Sequence, residues 1–236
     1  MCLQPPVQDS NLKKEISAAT GYVDGLYTIP GLTPEDAQFV EREFMKLVDD
    51  WAAKAVHVLL QRDPKTRDLT TREQVGWARF IFSLMLRTPE QIDRLKTEAV
   101  EREYEGPVEQ LLPDFINSTR VISFMVKQMT FHTLELPGTK HKLLTSDRPI
   151  MMTNGIFQPD GELVIPISPT RLFIAVRERR TVEEIAKIDP NTLIATANDR
   201  VAAQARRFVY GVDDSQLRFV ANRFGRMSPS TPFESS

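Results

Sequence analysis

The stretch SFMVKQMTFHTLEL, residues 123–136, contains a change in the spacing of its apolar side chains. Before Met129 these side chains recur with the spacing of an amphipathic helix. After Met129 the spacing becomes two, and His132, Leu134 and Leu136 fall on one face of a predicted strand. The chain is therefore expected to be helical before Met129 and rich in strands after it.

Four helices are predicted before this change. Their expected ranges are 33–59, 70–86, 88–103 and 108–129. Thr70 and Glu73 have the spacing of a capping box at the start of the second helix, and Pro113 is expected to kink or split the fourth. The second helix is apolar on almost every side, so it should lie at the centre of this part. The side chains expected to be buried where the first two helices meet are Trp51, Trp77, Phe80 and Ile81.

After the change, five strands are predicted, followed by two helices, a short strand and a terminal helix. The strands are expected at 129–136, 140–145, 149–153, 162–167 and 171–179, and the later elements at 181–188, 189–205, 206–211 and 214–225. The turn residues Asn154 and Gly155, together with those at 159–161, predict a hairpin between the third and fourth strands. Pro166 and Pro169 indicate that the fourth strand ends early or lies at an edge of the sheet.

Helices first and strands later predict an α+β fold, in which the N-terminal helical half packs on a small, mostly antiparallel C-terminal sheet. The expected organisation is an irregular first segment, a single domain and a loose tail. These parts cover 1–30, 31–224 and 225–236, and the domain divides into a helical part, 33–128, and a sheet-rich part, 129–224.

The composition limits the class of protein. The 236 residues carry a net charge of −2, which gives no overall attraction to nucleic acid or to an anionic membrane. Cys2 is the only cysteine, so no internal disulfide can form and a reducing compartment is expected. No segment approaches the about 20 apolar residues of a membrane span, and no signal-peptide core is visible, so a cytoplasmic location without membrane contact is predicted. The histidines are scattered and no cofactor motif is recognisable, so no metal site is predicted and any cofactor is unknown.

Ser146 and Asp147 lie where the second predicted strand breaks before Pro149. They can form a turn, in which their short polar side chains accept backbone N–H groups. Alternatively, Asp147 is a general base or a metal ligand at a strand end, with Ser146 as its hydrogen-bonding partner. These two residues are therefore the candidates for a catalytic role.

Three arginines fall on one face of the fifth predicted strand, namely Arg171, Arg177 and Arg179. They form either an exposed basic face or a surface for phosphate or nucleic acid, to which Arg206 and Arg207 would add. The charge balance of the C-terminal part supports no more than a local patch.

Asn198, Arg206 and Tyr210 form a further candidate group for binding. Asn198 and Arg206 are eight residues apart, which is two turns of one helix, and both could face the Thr-Ser-Asp turn. The alternative is that their amide and guanidinium groups cap a neighbouring loop.

Three short motifs follow one another in the C-terminal half: LLTSDRPI at 143–150, PISPTRLFIAV at 166–176 and NDRVAAQARRFVYG at 198–211. In this order they resemble the C-terminal half of the bacterial family catalogued as domain of unknown function 4238. The matching positions are Thr145, Ser146, Asp147, Pro149, Pro166, Ser168, Pro169, Asn198, Ala205, Val209 and Tyr210. The resemblance extends over residues 15–220 and itself implies no activity.

Family members usually open with a His-Tyr-x-Pro segment, to which nothing here corresponds. The chain is therefore expected to be a form without the family's first segment. A site that pairs that histidine with the Asp147 carboxylate would then be incomplete. A strand edge would also be left uncovered, so self-association or a partner chain is expected.

Two functions are compatible with these residues. The first is a non-catalytic interaction or regulatory module whose turn residues are structural. The second is a hydrolase with Asp147 in its site, for which nucleic acid is one candidate substrate. An enzyme should place Asp147 in a concave pocket beside another titratable group with a shifted pKa, whereas a module should bind its carboxylate to backbone N–H groups.

Overall fold

The computed structural model describes residues 2–3, 14–15, 46–61, 69–86, 97, 101, 103, 111–117 and 119–227. The chain forms two compact units, one made of Met1–Tyr22 and Met129–Ser236 and the other of Val23–Gln128. The described part of the second unit is helical, and the described strands all belong to the first. The predicted α+β class is therefore confirmed. No helix in the described ranges is long and apolar enough to span a membrane.

The helical unit contains four described helices. They are α1 (Lys46–Leu59), α2 (Thr71–Leu86), α3 (Leu111–Ile116) and α4 (Thr119–Gln128). Helix α2 contacts each of the other three, and its Ile81 and Phe82 are buried. This central position explains its nearly continuous apolar run, because a helix that is covered on several sides cannot keep a wide polar face.

Helices α1 and α2 approach closely at Gly76. A Cβ atom on this residue would lie 2.8 Å from the Cβ atom of Trp51, so glycine is required here. Close to this contact, Trp77 and Ile81 are buried, as predicted. Trp51 and Phe80 are only partly buried, so the prediction was wrong for these two. Large aromatic rings often pack with one side and keep part of their surface in water.

The starts of two helices can be compared with the prediction. The Thr70 N–H donates to Glu73 Oε2 at 2.8 Å and the Glu73 N–H donates to Thr70 Oγ1 at 3.4 Å, which confirms the capping box. The fourth predicted helix is split after Ile116 and not at Pro113. Pro113 lies in the first turn of α3, where backbone N–H groups have no partner within the helix, so its missing N–H is tolerated. The beginning of the first predicted helix and most of the third lie outside the described residues.

The described strands of the first unit form two antiparallel sheets of four strands. The strands are β1 (Cys2–Leu3), β2 (Lys14–Glu15), β3 (Thr130–Glu135), β4 (Thr145–Ser146), β5 (Met151–Thr153), β6 (Glu162–Ser168), β7 (Arg171–Val176) and β8 (Val209–Tyr210). Their order is β3-β7-β6-β5 in one sheet and β2-β1-β8-β4 in the other. The segment 1–30, predicted to be irregular, therefore contains two short strands. The predicted tail after Met227 lies outside the described residues.

The predicted hairpin is present as β5 and β6. Asn154 and Gly155 have φ angles of 55° and 70°, the left-handed conformation that such a turn needs. The prediction that this strand lies at an edge was wrong, because β6 continues through Pro166 and lies between β7 and β5. However, β5 pairs with β6 only as far as Val164. The pairing of β6 with β7 shifts register between Pro166 and Ser168. The proline is thus accommodated where one side of β6 has no neighbour among the described strands.

Three helices follow the central strand β7. They are α5 (Arg179–Ile185), α6 (Pro190–Gln204) and α7 (Leu217–Ala221). Helix α6 begins as predicted, since the N-cap Asp189 accepts the Thr192 N–H on its side chain at 2.9 Å. Side chains of α6 and β7 share one apolar core, which includes Leu172, Ile174, Val176, Ile194, Ala197 and Val201. This shared core fixes α6 beside the segment that carries the first motif.

Candidate functional site

The first motif lies in residues 140–152, whose backbone is held by side chains of α6; we call this stretch the α6-bound segment. A strand was predicted at 140–145, but strand pairing begins only at Thr145, where β4 pairs with β8. At the start of the segment, the Lys140 N–H donates to Asn191 Oδ1 at 3.0 Å. The prediction was wrong for 140–144 because helix side chains satisfy backbone groups that a neighbouring strand would otherwise bind.

Asn198 binds the middle of the α6-bound segment. Its Oδ1 accepts the Leu144 N–H at 2.8 Å, and its Nδ2 donates to the Lys142 carbonyl at 2.8 Å. The same Nδ2 donates to Gln216 Oε1 at 2.8 Å, and Gln216 Nε2 donates to the Lys142 carbonyl at 2.8 Å. Both amides are buried, so their polar atoms are satisfied inside the protein. Of the two arrangements that the sequence leaves open for Asn198, the structure contains the one that caps a loop.

Gln204 and Arg200 hold the later part of the α6-bound segment. Gln204 Nε2 donates to the Ile150 carbonyl at 2.9 Å and also to the Arg148 carbonyl. Arg200 Nη2 donates to the Met152 carbonyl at 2.6 Å. Neither residue was predicted from the sequence to be part of a site. The available signal for Gln204 was an amide within the apolar end of α6, VAAQ, because buried amides require partners.

Asp147 connects the α6-bound segment to the chain that follows α6. Its carboxylate accepts three consecutive backbone N–H groups, from Arg206 at 3.2 and 3.3 Å, Arg207 at 3.0 Å and Phe208 at 3.4 Å. Its own N–H donates to the Phe208 carbonyl at 3.1 Å. Both carboxylate oxygens are used, so this side chain is fixed in place by charge-assisted hydrogen bonds.

Ser146 forms the local turn next to this connection. It is buried, and its Oγ accepts the Arg148 N–H at 3.1 Å. This short-range bond is the one that the sequence predicts for a serine in a turn. The donors to Asp147, by contrast, come 59 to 61 residues later in the chain.

Arg206 does not share a helix with Asn198. Helix α6 ends at Gln204, and Ala205 is already extended with a ψ angle of 146°. Arg206 meets Asp147 through its backbone N–H, while its guanidinium donates to the Gly225 carbonyl at 3.4 Å. The prediction of two side chains on one helical face was therefore wrong. In a further turn of α6, the N–H groups of 206–208 would donate to carbonyl groups four residues earlier. Here they donate to the Asp147 carboxylate instead.

A cleft of about 230 Å³ lies beside the α6-bound segment. Residues 143–145 and 210–212 line it, together with 166–169 from the connection between β6 and β7. Most of the lining residues are apolar, and the residues among them that carry a hydroxyl group are Thr145, Ser168 and Tyr210. Each of the three motifs contributes to the lining.

Hydrogen bonds connect the walls of the cleft. The Leu143 N–H donates to the Pro169 carbonyl at 2.9 Å, and Ser168 Oγ accepts the Thr170 N–H at 3.2 Å. Across β4 and β8, Thr145 is the register partner of Tyr210. Motifs that are far apart in the sequence thus form one site.

The predicted basic strand face is not formed. Strand β7 ends at Val176, so Arg177 lies beyond it and Arg179 begins α5. Arg171 is buried and forms an ion pair at 3.1 Å with Glu135, its register partner on β3. The prediction was wrong because a central strand is covered on both faces, and alternation along such a strand does not separate buried from exposed positions.

One carboxyl group with a raised pKa, that of Glu162, lies outside the cleft. Burial raises the pKa of the Glu162 carboxyl. Asp160 and Glu184 add to this shift, and Arg200 opposes it. Glu162 does not line the cleft. Asp147 does not line it either, so this cleft does not bring Asp147 and Glu162 together.

Comparison with known proteins places the three motifs in one family. No curated protein and no solved structure matches the chain. The family described as "Protein of unknown function (DUF4238)" matches residues 8–215, a range that includes all three motifs and the α6-bound segment. Because this match spans most of the chain, the protein belongs to the DUF4238 family of proteins of unknown function.

Proposed function

We propose that this protein is a non-catalytic interaction module that binds a partner chain at the cleft. The observation that carries this proposal is the bonding of Asp147, both oxygens of which accept backbone N–H groups from 206–208. A general base must present an oxygen to its substrate. Asp147 does not line the cleft, and among the described residues the only ionisable side chain that does is Tyr210. These contacts support a structural role for the carboxylate.

The size and lining of the cleft favour an apolar side chain of a polypeptide as its occupant. Its volume of about 230 Å³ lies below the ~300–1,000 Å³ that is typical of small-molecule pockets. Val212 is 52% exposed at the cleft, so a partner could cover this side chain as well. Burial of apolar area would then supply most of the binding free energy. The partner is a different polypeptide or a second copy of this chain.

We also propose the cytoplasm as the location. Cys2 is the only cysteine, so the fold does not depend on a compartment that forms disulfides. Cell fractionation followed by immunodetection tests this assignment, and recovery from an oxidising compartment would contradict it.

The cleft can be tested by nuclear magnetic resonance with N-acetyl-leucine amide as a mimic of an apolar side chain. We expect shifts in the amide signals of Gly211 and Val212. Gly211→Val should abolish these shifts, because a Cβ atom at this position would already lie 3.0 Å from Leu144 Cδ2. Ala195→Val, at an exposed position of α6, adds the same kind of side chain elsewhere and should leave the shifts unchanged.

Two results would contradict the proposal. One is a set of shifts that avoids the cleft or persists in a folded Gly211→Val protein. The other is a hydrolytic activity of the purified protein that a folded Asp147→Asn variant lacks, since this would assign Asp147 to catalysis.

A further inference from the structure

Positive charge is concentrated near the C-terminal end of α6. Residues 200–227 contain six arginines, two aspartates and no lysine, whereas the whole chain has a net charge of −2. The cations are thus of the type that binds phosphate with two parallel N–H groups. The local charge differs in sign from that of the molecule.

Two backbone contacts bring four of these arginines together. The Gly225 N–H donates to the Ala202 carbonyl at 3.3 Å, and the Met227 N–H donates to the Ala203 carbonyl at 2.9 Å. Segment 223–227 therefore lies against the end of α6, from which 206–207 continue. The Arg206 guanidinium reaches the Gly225 carbonyl at 3.4 Å. We call the resulting group the arginine face; its members are Arg206, Arg207, Arg223 and Arg226.

Three of the four arginines of the arginine face form no ion pair with a described carboxylate. Arg223 forms an ion pair with Asp199. Among the described residues, Arg206, Arg207 and Arg226 form no ion pair, and all three are exposed. The nearby Asp147 is already bound to backbone N–H groups. An anion could therefore approach these guanidinium groups without displacing a protein carboxylate.

The helix end alone does not account for this concentration of arginines. Cations are favourable near a helix C-terminus, where they can bind the last carbonyl groups. Here, however, the carbonyls of Ala202 and Ala203 already accept the backbone N–H groups of Gly225 and Met227. The arginines are not needed to satisfy them.

Two of the guanidinium groups lie over aromatic rings. The Arg223 guanidinium carbon lies 3.9 Å from the centre of the Phe219 ring, and that of Arg207 lies 5.3 Å from the centre of the Phe208 ring. Proteins that bind single-stranded nucleic acid combine a positively charged groove along the backbone with aromatic side chains on which bases stack, and in RNA recognition bases also stack on guanidinium planes. We infer that the arginine face binds single-stranded nucleic acid. This inference goes beyond the proposed function, since it concerns a surface whose arginines do not line the cleft.

Fluorescence anisotropy with a fluorescein-labelled oligouridylate tests the inference on the full chain. Each phosphate contact with a single strand contributes about −0.7 to the slope of log K against log salt, so loss of three contacts should reduce the slope by about 2. The test variant is Arg206→Ala/Arg207→Ala/Arg226→Ala, which should also bind at least about tenfold more weakly at ~0.1 M salt. The control Arg179→Ala/Arg180→Ala removes two exposed arginines from α5 and should bind like the parent.

Three outcomes would overturn the inference. They are absence of binding by the parent, equal loss in the test and control variants, and binding to phosphatidylserine vesicles without binding to the oligouridylate. Unchanged melting of the triple variant, checked by circular dichroism, excludes unfolding as the cause of a loss. Gel analysis of the oligouridylate after incubation separates this inference from the proposed function. Cleavage that requires Asp147 would contradict the non-catalytic assignment but would not affect the inference that the arginine face binds nucleic acid.

Discussion

Asp147 provides the hydrogen bonds that three backbone N–H groups lack once α6 has ended. Asp147→Ala removes both acceptor oxygens, and we expect a loss of about 1–3 kcal/mol in the free energy of unfolding. The loss should stay in this range because Arg206 and Arg207 are exposed, so water can replace part of the bonding. Urea unfolding monitored by circular dichroism measures it.

Asp147→Asn distinguishes the observed bonding from a simple local turn. A turn would need only one acceptor oxygen, so the asparagine variant would be nearly as stable as the parent. In the structure both oxygens accept N–H groups, and the amide NH₂ of asparagine would face one of these donors. Its stability should therefore lie between those of the parent and Asp147→Ala. Asp213→Ala is the control, because Asp213 accepts the Ser215 N–H in an exposed turn. An Asp147→Ala protein as stable as the parent would contradict the structural role.

Glu162 should make stability depend on pH. Burial raises its carboxyl pKa, so the folded protein holds this proton more tightly than the unfolded chain does. The stability contributed by this group is thus complete below the ordinary carboxyl range and is lost as pH rises through the raised pKa. We expect Glu162→Gln to melt above the parent at neutral pH, with the difference vanishing below about pH 4.

A second carboxyl with the opposite shift serves as the control for this measurement. Side-chain and backbone hydrogen bonds from Ser215 lower the pKa of Asp213. Its stabilising contribution is therefore present above the ordinary carboxyl range and is lost as pH falls through the lowered pKa. Asp213→Asn should show no gain at neutral pH. A constant difference between Glu162→Gln and the parent across the whole pH range would refute the assignment.

Elements with local signals could be predicted from the sequence, whereas the α6-bound segment could not. The capping box at Thr70 and the N-cap at Asp189 involve residues three apart, and both are present. Residues 140–144 read as a strand because Leu143 and Leu144 are apolar and the segment is short. Their actual partners are helix side chains, such as Asn198, 54 residues from Leu144. Spacing along the chain carries no signal for such a contact.

Replacing Asn198 should remove hydrogen bonds between helix α6 and the backbone of the α6-bound segment. Asn198→Leu has a similar volume but leaves the Leu144 N–H without an acceptor in a buried site. We expect a loss of about 2–4 kcal/mol, combining unmet hydrogen bonds and imperfect packing. Hydrogen exchange should show faster exchange at Leu144 than in the parent, because its acceptor is gone. Asn191→Leu, at the exposed end of the same helix, is the control and should cost less. Equal stability of the two variants would contradict a central role for Asn198.

The candidate cleft could be predicted only in part. Its motifs were visible at Thr145, Pro166 and Tyr210, but their convergence depends on pairings between distant strands. The burial of Arg171 was missed for the same reason, since its partner Glu135 is 36 residues away on a neighbouring strand. Local patterns therefore identify the pieces of the site, and the topology of the sheets determines which pieces meet.

Connectivity provides a test of whether the whole molecule unfolds as the single domain predicted for 31–224. The helical unit, Val23–Gln128, is inserted in the chain between β2 and β3 of the sheet-rich unit. If it unfolded alone, it would become a long flexible loop whose closure lowers the stability of the sheets that it joins. We therefore expect the two units to unfold in one transition. Trp51 and Trp77, the two tryptophans of the chain, report on the helical unit by fluorescence, and hydrogen exchange in β7 reports on the other.

Trp77→Ala makes this test decisive. Trp77 is 1% exposed within the helical unit, and its loss should cost about 3–5 kcal/mol there. With a single cooperative domain, the fluorescence of the remaining Trp51 and the exchange of β7 amides should shift to lower urea together. Arg72→Ala, at an exposed position on the same helix, should shift neither signal. If Trp77→Ala lowers only the fluorescence midpoint while β7 keeps the protection of the parent, the units unfold separately and the single-domain prediction is wrong.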